Sequence, residues 1–310
     1  MAEQKFNLIT RADFDGVVCG ALFMELGIIN KVDFAEPADM QHGRVAVDAN
    51  NITTNLPYVP DVHLCFDHHW SELERVGQHD NFIIDPNAPS AARVVYEYYG
   101  GEHGFPNIDP ALMHAVDKAD SAQFNETEVL VPEGWTLLNF VLDGRTGLGN
   151  LQDFAISNDQ MMRDLMTYCR HNPVNEILAL PDIQERVYAY NYHKEFAERQ
   201  IVECSHTVGR TVVCDLCDVE HIYAVDRFLI YALFSDCDLS LTLRPSKTDG
   251  VTEISCGKSI FLRTSKVNVG KLMLAHGGGG HAAAGTCRVP NSDVENVLND
   301  ILASIATEVA

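Results

Sequence analysis

Asp13 and Asp15, in Asp13-Phe14-Asp15-Gly16, directly follow a short apolar run from Phe6 to Thr10. At i, i+2 in an extended segment, two side chains point the same way. Two carboxylates aimed at one spot repel each other unless a cation or a proton lies between them. Helix N-capping is the competing use, because Asp suits an N-cap and the positive end of a helix dipole, but capping needs only one of the pair. Asp67-His68-His69 follows Val62 to Phe66, an apolar run that reads as a buried strand. Asp48 and Asp85 close two further runs, Arg44 to Val47 and Phe82 to Ile84. Acids and imidazoles at strand ends lie where open α/β sheets bind ligands. Asp117 and Asp120, at i, i+3, share one helical face, and a solvated face with a Lys118 ion pair is the alternative to a site.

A second constellation lies far along the chain, in Gly277-Gly278-Gly279-Gly280-His281 followed by three alanines and Gly285. Four consecutive glycines carry a large conformational entropy cost. Tight turns or a hinge account for one or two of them. The run suggests backbone brought close to a ligand, with exposed N–H groups holding phosphate oxygens. Cys214 and Cys217 form a C-x-x-C, but Cys237 and Cys256 do not supply a second pair at zinc spacing. The nine scattered cysteines therefore read as reduced thiols in a reducing compartment.

The elements that must position these residues follow from periodicity and punctuation. Strands are expected at Phe6–Thr10, 32–35, 44–47, 63–66 and 82–84, with a buried helix at 17–29, a helix from Pro89-Ser90 to Tyr99, and another opened by Asp109-Pro110. Short strands alternating with helices imply a mostly parallel sheet. Residues 125–175 carry no readable motif. A long polar helix is expected over 181–205, as an interdomain connector. A fresh set of strands (211–214, 239–243, 252–255, 286–289) and helices (226–234, 269–275, 292–306) then begins. The expected fold is α/β in two domains with a cleft between them: a parallel sheet flanked by helices over 1–180, and a smaller mixed-sheet domain over 206–310.

The formal charge of −22, from 22 basic and 44 acidic residues, argues against coating long nucleic acid, which requires many Lys and Arg to displace counterions. A short phosphorylated ligand held through metal ions is compatible with it. No apolar run reaches the roughly 18 residues of a membrane span. The N-terminus lacks a basic region followed by a long apolar core, so a cytoplasmic protein without membrane contact is expected.

In their order along the chain, Asp13-x-Asp15, Asp48, Asp67-His68-His69, Asp120-Ser121-Ala122-Gln123-Phe124 and the distal GGGH resemble the DHH phosphoesterase superfamily with its DHH-associated C-terminal domain. The resemblance runs from about residue 5 to about 290. It implies a hydrolase with two divalent ions, most often Mn²⁺, with Mg²⁺ also suited to carboxylates. Asp48 would bridge the ions, Asp15, His68 and Asp120 would complete one, and Asp13 would belong to the other. His69 would face the substrate phosphate, and Asp67 would orient an imidazole. Two ions roughly 3.5–4 Å apart can clamp the attacking and leaving oxygens of an in-line displacement at phosphorus. The family places a His just ahead of the Asp-x-Asp pair; here Arg11 lies nearest. Arg cannot ligate a metal, so Arg11 is expected to bind phosphate or to supply a fixed charge, and the first ion to be weak or absent. Arg263, Gly278, Gly279, Gly280 and His281 would bind the distal part of the substrate.

The expected activity is hydrolysis of phosphodiester or phosphomonoester bonds in short nucleotides, such as oligoribonucleotides or 3'-phosphoadenosine-5'-phosphate. Exopolyphosphatase or pyrophosphatase activity is the alternative within the family. A non-catalytic nucleotide- or metal-binding relative is the alternative of another class. A homodimer is compatible with the sequence.

Overall fold

The computed structural model describes residues 4–150 and 154–309, which fall into two compact units. The first comprises residues 1–123 and 132–189, and the second 124–131 and 190–310. In the first unit the strands are β1 (Phe6–Thr10), β2 (Ile29–Phe34), β3 (Asn51–Thr54), β4 (Leu64–Asp67) and β5 (Phe82–Ile84). They form one parallel sheet in the order β2-β1-β3-β4-β5. Leu8, Ile9 and Thr10 are buried in succession, the pattern of a parallel strand covered on both faces.

Helix α1 (Phe14–Leu26) is buried from Phe14 to Phe23, all around its circumference, as a central helix must be. It ends at Gly27, whose φ of 69° supplies the left-handed cap. The short helices α2 (Pro37–Gln41) and α3 (Trp70–Val76) follow β2 and β4. Next come α4 (Ala91–Tyr98) and α5 (Pro110–Asp120). Beyond α6 (Glu126–Leu130), which belongs to the second unit, the first unit continues through α7 (Gly134–Leu142), α8 (Asn158–Tyr168) and α9 (Val174–Leu178). Against Gly20 a Cβ would meet the Met166 sulfur at 2.3 Å, so this glycine sets how closely α8 approaches α1.

The expected strand over 44–47 is not formed. Val45 and Val47 instead pack from a loop against buried Ile9, Met40 and Leu56. The third strand is Asn51–Thr54, polar in composition yet wholly buried. Two of its polar side chains are paired internally, while the Thr53 hydroxyl is buried without a partner: Thr54 Oγ1 donates to Thr10 Oγ1 at 2.7 Å, Thr10 Oγ1 donates to the Thr54 carbonyl at 3.3 Å, and Asn51 Oδ1 accepts the Asp48 N–H at 2.8 Å. Burial of polar groups that are paired in this way is tolerated.

Helix α10 (Pro181–Glu203) starts in the first unit and ends in the second. The second unit has a six-stranded sheet in the order β10-β11-β9-β8-β7-β6. Its strands are β6 (Ser205–Val208), β7 (Thr211–Asp215), β8 (Leu239–Pro245), β9 (Val251–Lys258), β10 (Gly279–Gly280) and β11 (Ala284–Pro290). Only β7 and β8 pair in parallel. Helices α11 (Leu229–Leu233), α12 (Val269–Ala275) and α13 (Val294–Val309) complete the unit. Its core joins Leu239, Leu241, Ile254, Cys256, Met273 and Ile301, all buried. Among the described residues no helix is long and apolar enough to cross a membrane.

A buried acid in this unit sets a pH dependence. Asp226 accepts from the Tyr190 hydroxyl at 3.0 Å and from the Phe228 N–H at 2.9 Å. Burial raises its carboxyl to about 6, against the opposing pull of these bonds and of Lys194. A raised acid favours folding below its unfolded pKa, and that contribution is lost as pH rises through the folded value. Asp226 is therefore expected to cost about 3 kcal/mol between pH 4 and pH 7. Urea unfolding of wild type and Asp226→Asn at pH 5 and pH 7.5 checks this, because the variant should lose that share of the decline.

Candidate active site

The ends of β1 and β4 and the start of α4 bring together residues that are distant in sequence. Asp13 caps α1, accepting the Gly16 N–H at 2.9 Å. Asp15 follows in the first turn, almost fully buried, and its carboxylate accepts the Ala91 and Ala92 N–H groups at 3.0 and 2.8 Å. These are free donors at the N-terminus of α4, which is why a buried carboxylate settles there. Asp120 closes α5. Ligand atoms of Asp15, His68 and Asp120 all lie within 4.8 Å of one another.

The imidazoles are oriented by separate partners. His68 Nδ1 lies 3.1 Å from the Ala88 carbonyl and donates to it, so that in the neutral ring the lone pair is on Nε2. That Nε2 is 3.0 Å from Asp120 Oδ2 yet makes no aligned hydrogen bond with it. His69 Nδ1 lies 2.7 Å from Asp67 Oδ1, and Asp67 is fully buried at the end of β4. Asp67 thus orients His69, while a backbone carbonyl orients His68.

Electrostatics record the crowding of charge. Burial pushes the Asp15 carboxyl well above the usual carboxylate range, and the Asp120 charge pushes it further, against His68. For Asp120, burial acts upward but the proximity and charge of His68 outweigh it, so its carboxyl is lowered. The His68 ring, which burial alone would lower, is raised to about 9 by Asp120. Asp13 is raised by burial, against the charges of Arg11 and, more weakly, Arg145. Asp13 and Asp15, raised by burial, are acids whose charged form a nearby cation would favour.

Asp48 is not part of this cluster. It lies in the turn before β3, where its carboxylate accepts the Asn50 N–H at 2.8 Å. Residues Asn51 and Thr54 of β3 stand beside Asn7 and Thr10 of β1. Asp48 is therefore at the edge where the strands begin, and Asp13 and Asp15 are at the edge where they end. The bridging role expected of Asp48 is corrected accordingly: the residue at the functional end of β3 is Asn55. Asp117, at i−3 from Asp120, has a structural task, with Ser90 Oγ at 2.8 Å and Arg93 Nη2 at 2.5 Å locking α4 to α5.

Arg145 was not legible in the sequence. It lies in a 3-10 turn, Gly144–Thr146, where Asp143 accepts its N–H at 2.9 Å and its Nε at 2.7 Å. Among the described residues its terminal amino groups meet no partner, and its charge acts to lower both Asp13 and Asp120. This is a tethered guanidinium beside an acid cluster, suited to a phosphate. Arg145→Ala is expected to raise KM about 10-fold, the loss of roughly 1.4 kcal/mol of binding, and to leave the melting temperature unchanged.

In the second unit Arg263 is exposed, with its Nε donating to the Ile260 carbonyl at 2.9 Å, and His281 is exposed at a turn. The glycine run has largely internal reasons. Gly277 has a φ of 74° beyond the end of α12. A Cβ on Gly278 would sit 2.1 Å from the Thr286 carbonyl oxygen, and one on Gly280, with φ of 150°, would sit 2.3 Å from that of Ala284. The backbone proximity that the sequence suggests is thus proximity to β11 in these two cases. At Gly279 a Cβ would meet nothing within 4 Å, so sterics do not require glycine there. Gly280→Ala is expected to cost roughly 3 kcal/mol, while Gly279→Ala costs under about 1 kcal/mol; paired denaturation curves measure both.

No family model matches the chain, and no curated protein matches it. Among solved structures the chain has relatives that, with this architecture, define its class: it belongs to the DHH phosphoesterase superfamily and is a phosphoesterase. The particular likeness is to a pGpG-specific phosphodiesterase, PggH from Vibrio cholerae, at 45% identity and a TM-score of 0.88 over 98% of this chain and 100% of that one. RecJ from Thermus thermophilus, solved with Mn²⁺, shares the fold at 11% identity and a TM-score of 0.53, over 98% of this chain and 52% of its own. A manganese-bound exonuclease RecJ gives 11% and 0.52, over 98% and 90%.

Proposed function

We propose that this phosphoesterase hydrolyses the phosphodiester of a short linear dinucleotide of the pGpG type, with a divalent cation held by Asp15, His68 and Asp120. The observation that carries the reading is the convergence of those three ligand atoms within 4.8 Å. The full-length similarity to a pGpG-specific enzyme supports the substrate class. The donor set fits a transition ion or Mg²⁺: two carboxylates, and one imidazole whose Nε2 is buried without an aligned partner. A cation there supplies a Lewis acid for a phosphoryl oxygen and a means of deprotonating water near neutral pH.

The chain's own groups do the rest. His69, oriented by Asp67, donates to a non-bridging oxygen as negative charge develops on it. Arg145 holds the phosphoryl group in place. Within the second unit, Arg263, Gly278, Gly279, Gly280 and His281 are the candidates for nucleotide contact, Gly279 being the glycine with open space on its side-chain side.

The test is turnover by purified protein with Mn²⁺, assayed on pGpG, pApA, 3'-phosphoadenosine-5'-phosphate, polyphosphate, pyrophosphate and single-stranded DNA. Release of GMP from pGpG at a kcat/KM at least tenfold above the others is expected. Phosphate release from polyphosphate or pyrophosphate without cleavage of pGpG would overturn the reading.

A further inference from the structure

Asp15 is held by backbone amides alone; Asp13 differs in facing a side-chain amide and a guanidinium as well. Oδ1 accepts the Gly16 N–H at 2.9 Å. Asn55 Nδ2 lies 3.2 Å from Oδ1 and 3.3 Å from Oδ2. Arg11 Nε is 3.3 Å from Oδ2. Two N–H donors and one full positive charge thus stand at a single carboxylate. The arrangement is built into the backbone. Asn55 directly follows β3, is only 2% exposed, and has a φ of 54°, a left-handed conformation that Asn tolerates better than most residues. Its N–H is tied to the Phe66 carbonyl at 3.1 Å.

With no ion between the two side chains, the amide points one way. With Nδ2 toward Asp13 it donates to both oxygens, and its Oδ1 is left buried without a partner. Turned over, Oδ1 would face two carboxylate oxygens at the same distances, oxygen against oxygen. An unpaired buried acceptor is costly, and the Asp13 contact must offset that cost. Neither Arg11 nor an amide nitrogen can ligate a cation. Few ions are needed to offset the charge: against Asp13, Asp15 and Asp120 stand Arg11 and Arg145 already, and one divalent cation more than completes the balance. A second cation would have to displace the guanidinium or sit beside it.

We infer that Arg11 and Asn55 close the Asp13 side of the cluster, so that the chain holds one divalent ion, at Asp15, His68 and Asp120, and Arg11 stands as a permanent cation on the other side. This rests on the reading that the cluster is a cation site, and it replaces the pair of ions that the family resemblance implies.

The experiment is Mn²⁺ stoichiometry on the full chain, by equilibrium dialysis with elemental analysis and by electron paramagnetic resonance. Wild type should bind one ion per chain, with the spectrum of an isolated ion. The double variant Arg11→His with Asn55→Asp exchanges a fixed cation and a neutral amide for two ligands, and should bind a second ion with exchange-coupled lines. Two coupled ions in wild type would overturn the inference while leaving the phosphodiesterase reading intact. A folded double variant that still binds one ion would overturn the assignment to Arg11 and Asn55. No bound ion in wild type would sink the cation site itself, and this inference with it. Should the double variant not fold, the wild-type stoichiometry alone decides.

Discussion

Asp120→Asn should reduce turnover by about 10³-fold and abolish stabilisation by Mn²⁺. On the proposed reading, the first effect follows from removing a charge that would hold the electrophilic cation. The second is independent of chemistry. An ion that binds only the folded chain stabilises it by RT ln(1 + [L]/Kd), about 2.7 kcal/mol at a hundredfold excess over Kd. Asp120 contributes one of three converging ligand atoms, and its amide substitute has half the acceptor capacity and no charge. Thermal unfolding with and without Mn²⁺ measures the loss. A variant that keeps the full Mn²⁺ shift but has lost activity would show that Asp120 serves the reaction without holding the ion.

His69→Gln should show the opposite combination. The ring is tied through Nδ1 to Asp67 at 2.7 Å and belongs, on the present reading, to the phosphate. Its loss should lower kcat by about 10²-fold, the scale for removing one positioned donor. The Mn²⁺-induced shift should persist, because Asp15, His68 and Asp120 remain. His68→Gln, in contrast, should lose both. Two adjacent histidines thus separate into different tasks, and unfolding curves measured beside steady-state kinetics resolve them. Equal loss of ion binding in both variants would mean that His69 ligates the cation and does not serve the phosphate.

The alternation of short strands and helices, and the strand ends at Asp13 and Asp67, were readable because apolar runs and turn residues report local backbone. The same rule misplaced the third strand. Val45 and Val47 look like strand residues but pack from a loop, whereas Asn51-Ile52-Thr53-Thr54 looks polar and is buried. Burial of Thr10 and Thr54 depends on a hydrogen bond across 44 residues, which no local pattern encodes. That displacement moved attention to Asp48 and away from Asn55, whose neutral side chain gives no ligand signal. Arg145 was hidden for a related reason: only the tertiary fold brings its turn beside Asp13 and Asp120. The glycine run was conspicuous, but φ and neighbouring backbone separate Gly277, Gly278 and Gly280 from Gly279, and neither is visible in four identical letters.

Asp15 has one further consequence. Both its oxygens are anchored to the amides of Ala91 and Ala92, and the same helix is bolted to its neighbour through Ser90, Arg93 and Asp117. On the proposed reading, cation binding and scaffold therefore share this one side chain. Retuning metal preference at position 15 would also loosen a helix start, so natural drift or laboratory redesign of ion selectivity has a safer path through position 120, whose carboxylate accepts none of those amides.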